Sequence, residues 1–219
     1  MSLIPVGAGA IRATQLIAAG TGSGIVAPEE LARFVRSPWP IATHLVGVPI
    51  FVFGGVGKFH PGVRRRWPRL HRRLGRAVVV SGLALAVSGA WMALRYDLPE
   101  HDSDALNAIR VIVSSAMGTA LVLGVAAARR GDLASHRRWI TRGWALGMGA
   151  ATQPLTLAPL LLAGQSPTDM DPLPRTVGMG AAWVLNLLLA ELWLRRGRSD
   201  RPAADLRAET PSIMAGTRS

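Results

Sequence analysis

Long apolar segments alternate along the chain with short segments crowded with charge. An α-helix needs about 20 apolar residues to cross the hydrocarbon core of a bilayer. Five segments approach this length, at 41–57, 77–94, 107–128, 143–163 and 176–194. A further segment at 3–19 is apolar but short, and Arg12 interrupts it. The pattern predicts an all-α, polytopic membrane bundle of five or six transmembrane helices within residues 1–195, with a disordered cytoplasmic tail at 196–219.

The charged segments alternate in sign. Most of the 25 basic residues lie at 58–76, at 129–142 and after residue 194. The intervening loops are short and acidic, and they contain Asp97, Glu100, Asp102, Asp104, Asp169 and Asp171. Because basic loops stay on the cytoplasmic side, we expect a multi-pass protein of the bacterial inner membrane with a cytoplasmic C-terminus. The N-terminus is then inside with six spans and outside with five.

Composition removes several classes of function. The net charge of +12 would suggest nucleic-acid binding in a soluble protein, but here the basic residues flank apolar segments, so we expect the lipid bilayer as partner and no nucleic acid. The chain has no cysteine, which excludes disulfides and thiolate metal sites. No phosphate-binding loop, HExxH motif or nucleophile elbow is present, and we assign no catalytic residue. This favours a protein that is not an enzyme.

The chain contains a candidate tandem repeat of helical hairpins with an offset of 65 residues. His71, Arg72 and Arg73 align with His136, Arg137 and Arg138, and each cluster precedes an apolar segment. The offset also aligns Gly82 with Gly147, Asp104 with Asp169, and Arg110 with Arg175. We therefore predict parallel copies related by an axis along the membrane normal. The alternative is that membrane hairpins share basic ends without duplication.

Polar residues inside the apolar segments are candidates for ligand binding, because such residues are costly in a membrane. His44 lies about one turn inside its segment, where it either binds a ligand or bonds a neighbouring carbonyl. Gln153 and Asn186 lie near mid-membrane, and we expect them either to bond each other beside a break at Pro154 or to line a ligand site. Two ionic predictions concern the ends of the spans: Arg110 and Arg175 pair with the acidic loops, and Arg142 pairs with Glu191.

The two His-Arg-Arg clusters are candidate anion sites. Each precedes a helix at the predicted cytoplasmic side, where free backbone N–H groups and cationic side chains favour lipid head-group phosphates, a phosphorylated ligand or haem propionates. The alternative is that the arginines only set topology. His71 and His136 fall at equal predicted depth, so haem b bound by these two histidines is a further alternative.

Five motifs give the chain a family resemblance. They are HLVGVPIFVFGGVGKF (44–59), HRRLGR (71–76), SGAWM (88–92), HRRWITRGWALGMGAATQ (136–153) and AWVLNLLLAE (182–191). Together they resemble a family of predicted bacterial membrane proteins known as "domain of unknown function 2306", over about residues 36–195. The resemblance implies a multi-span inner-membrane protein and carries over no activity.

Three functions fit these observations. The first is a protein that binds or moves a small molecule, lipid or ion between its hairpins, which the polar residues within the spans favour. The second is a haem-binding redox protein that uses His71 and His136. The third is an accessory or structural membrane subunit.

Overall fold

The computed structural model of the protein describes residues 34, 36–59, 61–97, 102–166 and 170–213, with side chains as far as Arg196 except at 58, 59, 61 and 64. The apolar segment at 3–19 lies outside these residues, so its crossing of the membrane stays a prediction. The described chain forms helices and no strands. They are α1 (Pro38–Phe59), α2 (Pro61–Arg66), α3 (Pro68–Arg95), α4 (Asp104–Arg129), α5 (Leu133–Gly147), α6 (Gly149–Leu162) and α7 (Pro172–Ile213).

Four of these helices are long and apolar enough to cross a membrane, over Pro38–Gly57, Pro68–Arg95, Asp104–Arg129 and Pro172–Arg196. The pair α5 and α6 also meets the test if the two helices form one span bent by 48°. The predicted segments 41–57, 77–94, 107–128, 143–163 and 176–194 all fall on these helices. The prediction of a polytopic helical bundle is confirmed.

The bend between α5 and α6 lies at Met148, between two glycines. The sequence predicted a break at Pro154, and this position is wrong because Pro154 and Pro159 both lie inside α6. Pro154 still weakens the first turn of α6, because proline has no backbone N–H donor and its ring crowds the carbonyl four residues earlier. Large rings pack against both glycines. A Cβ atom on Gly147 would meet the Phe51 ring, and one on Gly149 would meet the Trp183 ring.

The core of the bundle is built where α1, α3, α4 and α5 meet. Its buried side chains are Phe51, Val78, Leu85, Met117, Leu121, Ile140 and Leu146. The opposite face of α3 exposes Val80, Val87 and Leu94, at seven-residue spacing. An apolar face directed away from the protein is what a lipid-facing helix requires.

Helix α7 continues beyond its membrane span to Ile213. The backbone is therefore helical over much of the segment 196–219 for which the sequence predicts disorder, and alanine, leucine and arginine in this stretch favour helix. Disorder of the tail stays a prediction. The tandem repeat also stays a prediction: α3 is unbroken, whereas α5 and α6, which align with it, are separated by the bend.

Candidate functional site

A cavity of about 490 Å³ lies between the helices of the bundle. It runs from the loop that carries Asp97 and Asp102 down to Phe51 and Leu146 in the core. Its walls are mainly apolar and include Phe51, Met117, Leu146, Met179 and Trp183. Since Asp97 is 84% exposed, the cavity opens at the end of the bundle that carries the acidic loop. We call this opening the mouth.

One stripe of α4 supplies much of the polar surface of the cavity. Asn107, Arg110, Ser114 and Met117 all line it. They recur at intervals of three or four residues and therefore share one face of the helix. The stripe proceeds inward from the mouth, with about 6 Å of helix axis between Arg110 and Ser114. Sequence reasoning missed Asn107 and Ser114, although their spacing from Arg110 is visible in the sequence.

A buried carboxylate at the mouth joins two arginines from different helices. The side chain of Asp102 is only 4% exposed. Its Oδ2 accepts a hydrogen bond from Nη1 of Arg110 at 2.6 Å, and its Oδ1 accepts one from Nε of Arg175 at 2.8 Å. The predicted pairing of both arginines with the acidic loops is confirmed. Burial raises the pKa of Asp102, but the two guanidinium groups together lower it more, so the pKa lies below its ordinary value.

A second contact reinforces this junction. The Ser103 hydroxyl donates to Oγ1 of Thr176 at 2.7 Å, because the Thr176 hydroxyl itself donates to the Pro172 carbonyl. Ser103 also caps α4 by accepting a hydrogen bond from the Leu106 N–H. The hydrogen bond between Ser103 and Thr176 therefore joins the loop before α4 to the first turns of α7. This contact fixes one side of the mouth.

His44 lines the cavity from α1, and its role in ligand binding stays a prediction. Its Nδ1 lies 3.0 Å from the hydroxyl of Ser88 on α3. Because that hydroxyl donates to the Leu85 carbonyl, Nδ1–H of His44 is the donor to Ser88. The neutral imidazole then offers Nε2 as an acceptor, and Nε2 has no hydrogen bond within the described residues.

Three further polar groups of the cavity retain unused hydrogen-bonding capacity. Asn107 donates through Nδ2 to the Ala93 carbonyl at 2.5 Å, and its buried Oδ1 accepts no hydrogen bond from any described residue. Ser114 and Gln153 line the same cavity without a hydrogen bond from their side chains to the described part of the chain. An unsatisfied buried acceptor costs about 1–3 kcal/mol, so a donor that reached Asn107 would be stabilised there.

The predicted bond between Asn186 and Gln153 does not form. Asn186 instead donates through Nδ2 to Oγ1 of Thr152 at 2.7 Å and to the Ala182 carbonyl at 2.8 Å. Adjacent residues of a helix point about 100° apart, so Thr152 meets α7 while Gln153 lines the cavity. The two candidates therefore separate, with Asn186 in helix packing and Gln153 at the cavity.

The His-Arg-Arg clusters lie at the other end of the bundle. His71 is half-buried near the start of α3, where Arg72 and Arg73 are exposed. In the second cluster, His136 Nδ1 lies 2.8 Å from the Gly124 carbonyl, Arg137 stacks 4.3 Å above the Trp193 ring, and Arg138 donates to Ser135. Neither cluster lines the cavity.

An ion pair joins α5 and α7 on the same side of the membrane. Arg142 donates through Nε and Nη2 to the two carboxylate oxygens of Glu191, at 2.5 and 3.1 Å. The predicted Arg142–Glu191 pair is confirmed. Its two-point geometry holds these ends of α5 and α7 together, and the hydrogen bond from Asn186 to Thr152 joins α6 and α7.

The metal and haem alternatives depend on which side chains the structure brings together. No group of three or more His, Asp or Glu side chains in this part of the chain could hold a metal ion. His71 and His136 both lie away from the cavity, so the cavity does not fit a haem ligated by these two histidines.

One comparison with known protein families gives a match to this chain. A family model described as "Predicted membrane protein (DUF2306)" matches residues 41–194. The chain belongs to this family. The match contains all the described cavity-lining residues except Phe34, together with both His-Arg-Arg clusters, and it ends before the tail. No curated protein and no solved structure gives a significant match. The family resemblance carried by the motifs is confirmed, and the description of the family names neither a ligand nor a reaction.

Proposed function

We propose that this membrane protein binds a small organic molecule with an apolar body and a polar head in the cavity between its helices. The observation that carries the proposal is the coincidence in one cavity of apolar walls and polar side chains that keep hydrogen-bonding groups unused by the described residues. Known ligand pockets have this character: they are mostly apolar, with a few polar groups that fix orientation. A volume of about 490 Å³ also lies within their usual size.

The polar groups are distributed to hold a ligand at more than one depth. Asn107 and Arg110 lie near the mouth, and Ser114 lies one helical turn further in. His44 approaches from another helix, since a Cβ atom on Gly89 would lie 3.1 Å from Oγ of Ser114 and 3.7 Å from Cε1 of His44. Gln153 contributes from α6. A head group can therefore exchange hydrogen bonds as the molecule moves inward.

The orientation inferred from the distribution of charge indicates the side of the membrane to which the cavity opens. In the bacterial inner membrane, with the basic segments and the C-terminus in the cytoplasm, the mouth faces the periplasm. The opposite end carries the exposed Arg72 and Arg73, which would contact anionic lipid head groups. Molecules would enter the cavity from the periplasmic side or from the outer leaflet.

A matched pair of leucine substitutions tests the proposal. Ser114→Leu places a larger apolar side chain in the cavity, whereas Ser115→Leu places it on the exposed side of the same helix. Native mass spectrometry after incubation with an extract of the host membrane should detect a bound small molecule in the wild type and in Ser115→Leu, and not in Ser114→Leu. Equal occupancy of both variants would show that bound molecules lie elsewhere.

The haem alternative makes a separate prediction. Detergent-purified protein that binds haem through His71 and His136 would show a Soret band, and the band would disappear on replacing both histidines with alanine while all arginines are kept. A spectrum without a Soret band after haem is added would rule out this alternative without affecting the cavity proposal.

A further inference from the structure

The mouth of the cavity contains a guanidinium group whose charge is only partly satisfied by the protein. Asp102 carries one negative charge and shares it between Arg110 and Arg175. Arg110 uses Nη1 for this hydrogen bond and makes no other hydrogen bond or ion pair within the described residues. A guanidinium group has five N–H donors. Arg110 therefore retains donors, and its side chain is 26% exposed at the wall of the cavity.

The only other acidic side chain among the described cavity-lining residues is Asp97, and it is poorly placed to neutralise Arg110. It is 84% exposed and lies 3.6 Å from Arg36, which is itself 76% exposed. Charges in bulk solvent are strongly screened, while partly buried charges interact much more strongly. Arg110, Arg175 and Asp102 all line the cavity and are partly or fully buried, so together they leave one net positive charge inside the mouth, and Arg110 is the more exposed of the two arginines.

Extending the proposed function, on which this inference rests, we infer that the cavity takes amphipathic molecules with a monoanionic head group, such as a carboxylate, which binds Arg110. The planar guanidinium group matches a carboxylate through two parallel hydrogen bonds. With its head at Arg110, the molecule has about 10 Å of helix axis between that residue and Met117 for its apolar body. Asn107 stands one turn closer to the mouth on the same face of α4.

Charge-selective labelling of the cysteine-free chain tests this inference. Ser114→Cys introduces a thiol one turn inside Arg110, and Ala105→Cys introduces one at an exposed position on the same helix. The two variants are treated with three methanethiosulfonates: the anionic sulfonatoethyl, the cationic trimethylammonioethyl and the neutral methyl reagent. For each variant, the rate of reaction with the anionic reagent is divided by the rate with the cationic reagent. This ratio should be about ten times higher for Ser114→Cys than for Ala105→Cys, because a partly buried positive charge attracts the anionic reagent and repels the cationic one.

Variants of two arginines identify the source of the selectivity. In the Ser114→Cys background, Arg110→Gln should reduce the ratio to about that of Ala105→Cys, and Arg110→Lys should preserve most of it because the charge remains. Arg95→Gln is the matched control, since Arg95 is exposed at the same end of the bundle and does not line the cavity. An equal loss in Arg95→Gln would overturn the assignment to Arg110.

The neutral reagent separates failure of this inference from failure of the proposed function. If the thiol of Ser114→Cys reacts with the neutral reagent but the charge ratio does not exceed that of Ala105→Cys, the cavity is open and the anionic class is wrong. If the neutral reagent does not react although Ala105→Cys is labelled, the cavity is closed to small molecules, and both proposals are wrong.

Discussion

Replacing Asp102 with asparagine should destabilise the protein at the mouth of the cavity. Asparagine has nearly the shape of aspartate and keeps one acceptor oxygen, but it has no charge and presents an amide group to one of the arginines. Arg110 and Arg175 then face each other across a buried neutral group, with side chains that are 26% and 14% exposed. The change therefore tests the charge at position 102 with little change in packing.

The expected loss follows from the two hydrogen bonds of Asp102. A hydrogen bond to a charged group contributes about 1.5–3 kcal/mol, and breaking a buried ion pair typically costs about 3–5 kcal/mol. The arginines retain some contact with solvent and asparagine keeps one acceptor, so we expect a loss near the lower end, about 2–3 kcal/mol. For a chain of this length, that corresponds to a melting temperature lower by roughly 5–10 °C.

The effect should depend on pH. The pKa of Asp102 lies below its ordinary value of 3.8, so folding favours the ionised carboxylate. This contribution is fully present above about pH 5, and it is lost as the pH falls below about 4 and through the folded-state pKa. The difference in stability between wild type and Asp102→Asn should therefore be constant near neutral pH and should shrink in acid.

Tryptophan fluorescence during heating in detergent measures this difference between pH 3 and pH 8, a range chosen to bracket the titration of aspartate. Asp104→Asn is the matched control, because Asp104 is exposed in the first turn of α4 and makes no ion pair among the described residues. It should change stability by at most about 1 kcal/mol, from its interaction with the helix dipole. A wild-type melting temperature in Asp102→Asn at neutral pH would refute the reasoning.

Two further predictions concern topology and helix packing. In intact cells, an impermeant maleimide should label Ala105→Cys and leave Ala134→Cys unlabelled, because the first position is exposed at the acidic end of the bundle and the second is exposed at the basic end. The reverse labelling pattern would show that the orientation is inverted. Thr152→Val and Asn186→Leu should each cost about 1 kcal/mol of thermal stability, with the double variant clearly less affected than the sum, because they remove the same hydrogen bond. Gln153→Leu combined with Asn186→Leu should be additive, and coupling in that pair would contradict the contact with Thr152.

The sequence by itself determined the helical bundle and the position of most of its spans. Apolar length and the placement of charge are local properties of the chain, so they predict each span without knowledge of its neighbours. Ionic partners at the helix ends were also predictable, because Arg142 and Glu191 lie at one level of the membrane and few groups of opposite charge compete there. The pairing of Arg110 and Arg175 with an acidic loop follows from the same reasoning.

Only the tertiary structure decided which residues meet in the interior. The rotation of each helix about its axis separates Thr152 from Gln153, so that one contacts Asn186 and the other lines the cavity. The rotation of α4 about its own axis likewise brings Asn107 and Ser114 to the cavity. The depth of a residue along a span can be counted from the sequence. The rotation of a helix depends instead on the shapes of all neighbouring helices at once, and a rotation of 100° replaces one residue by the next on the face that lines the cavity.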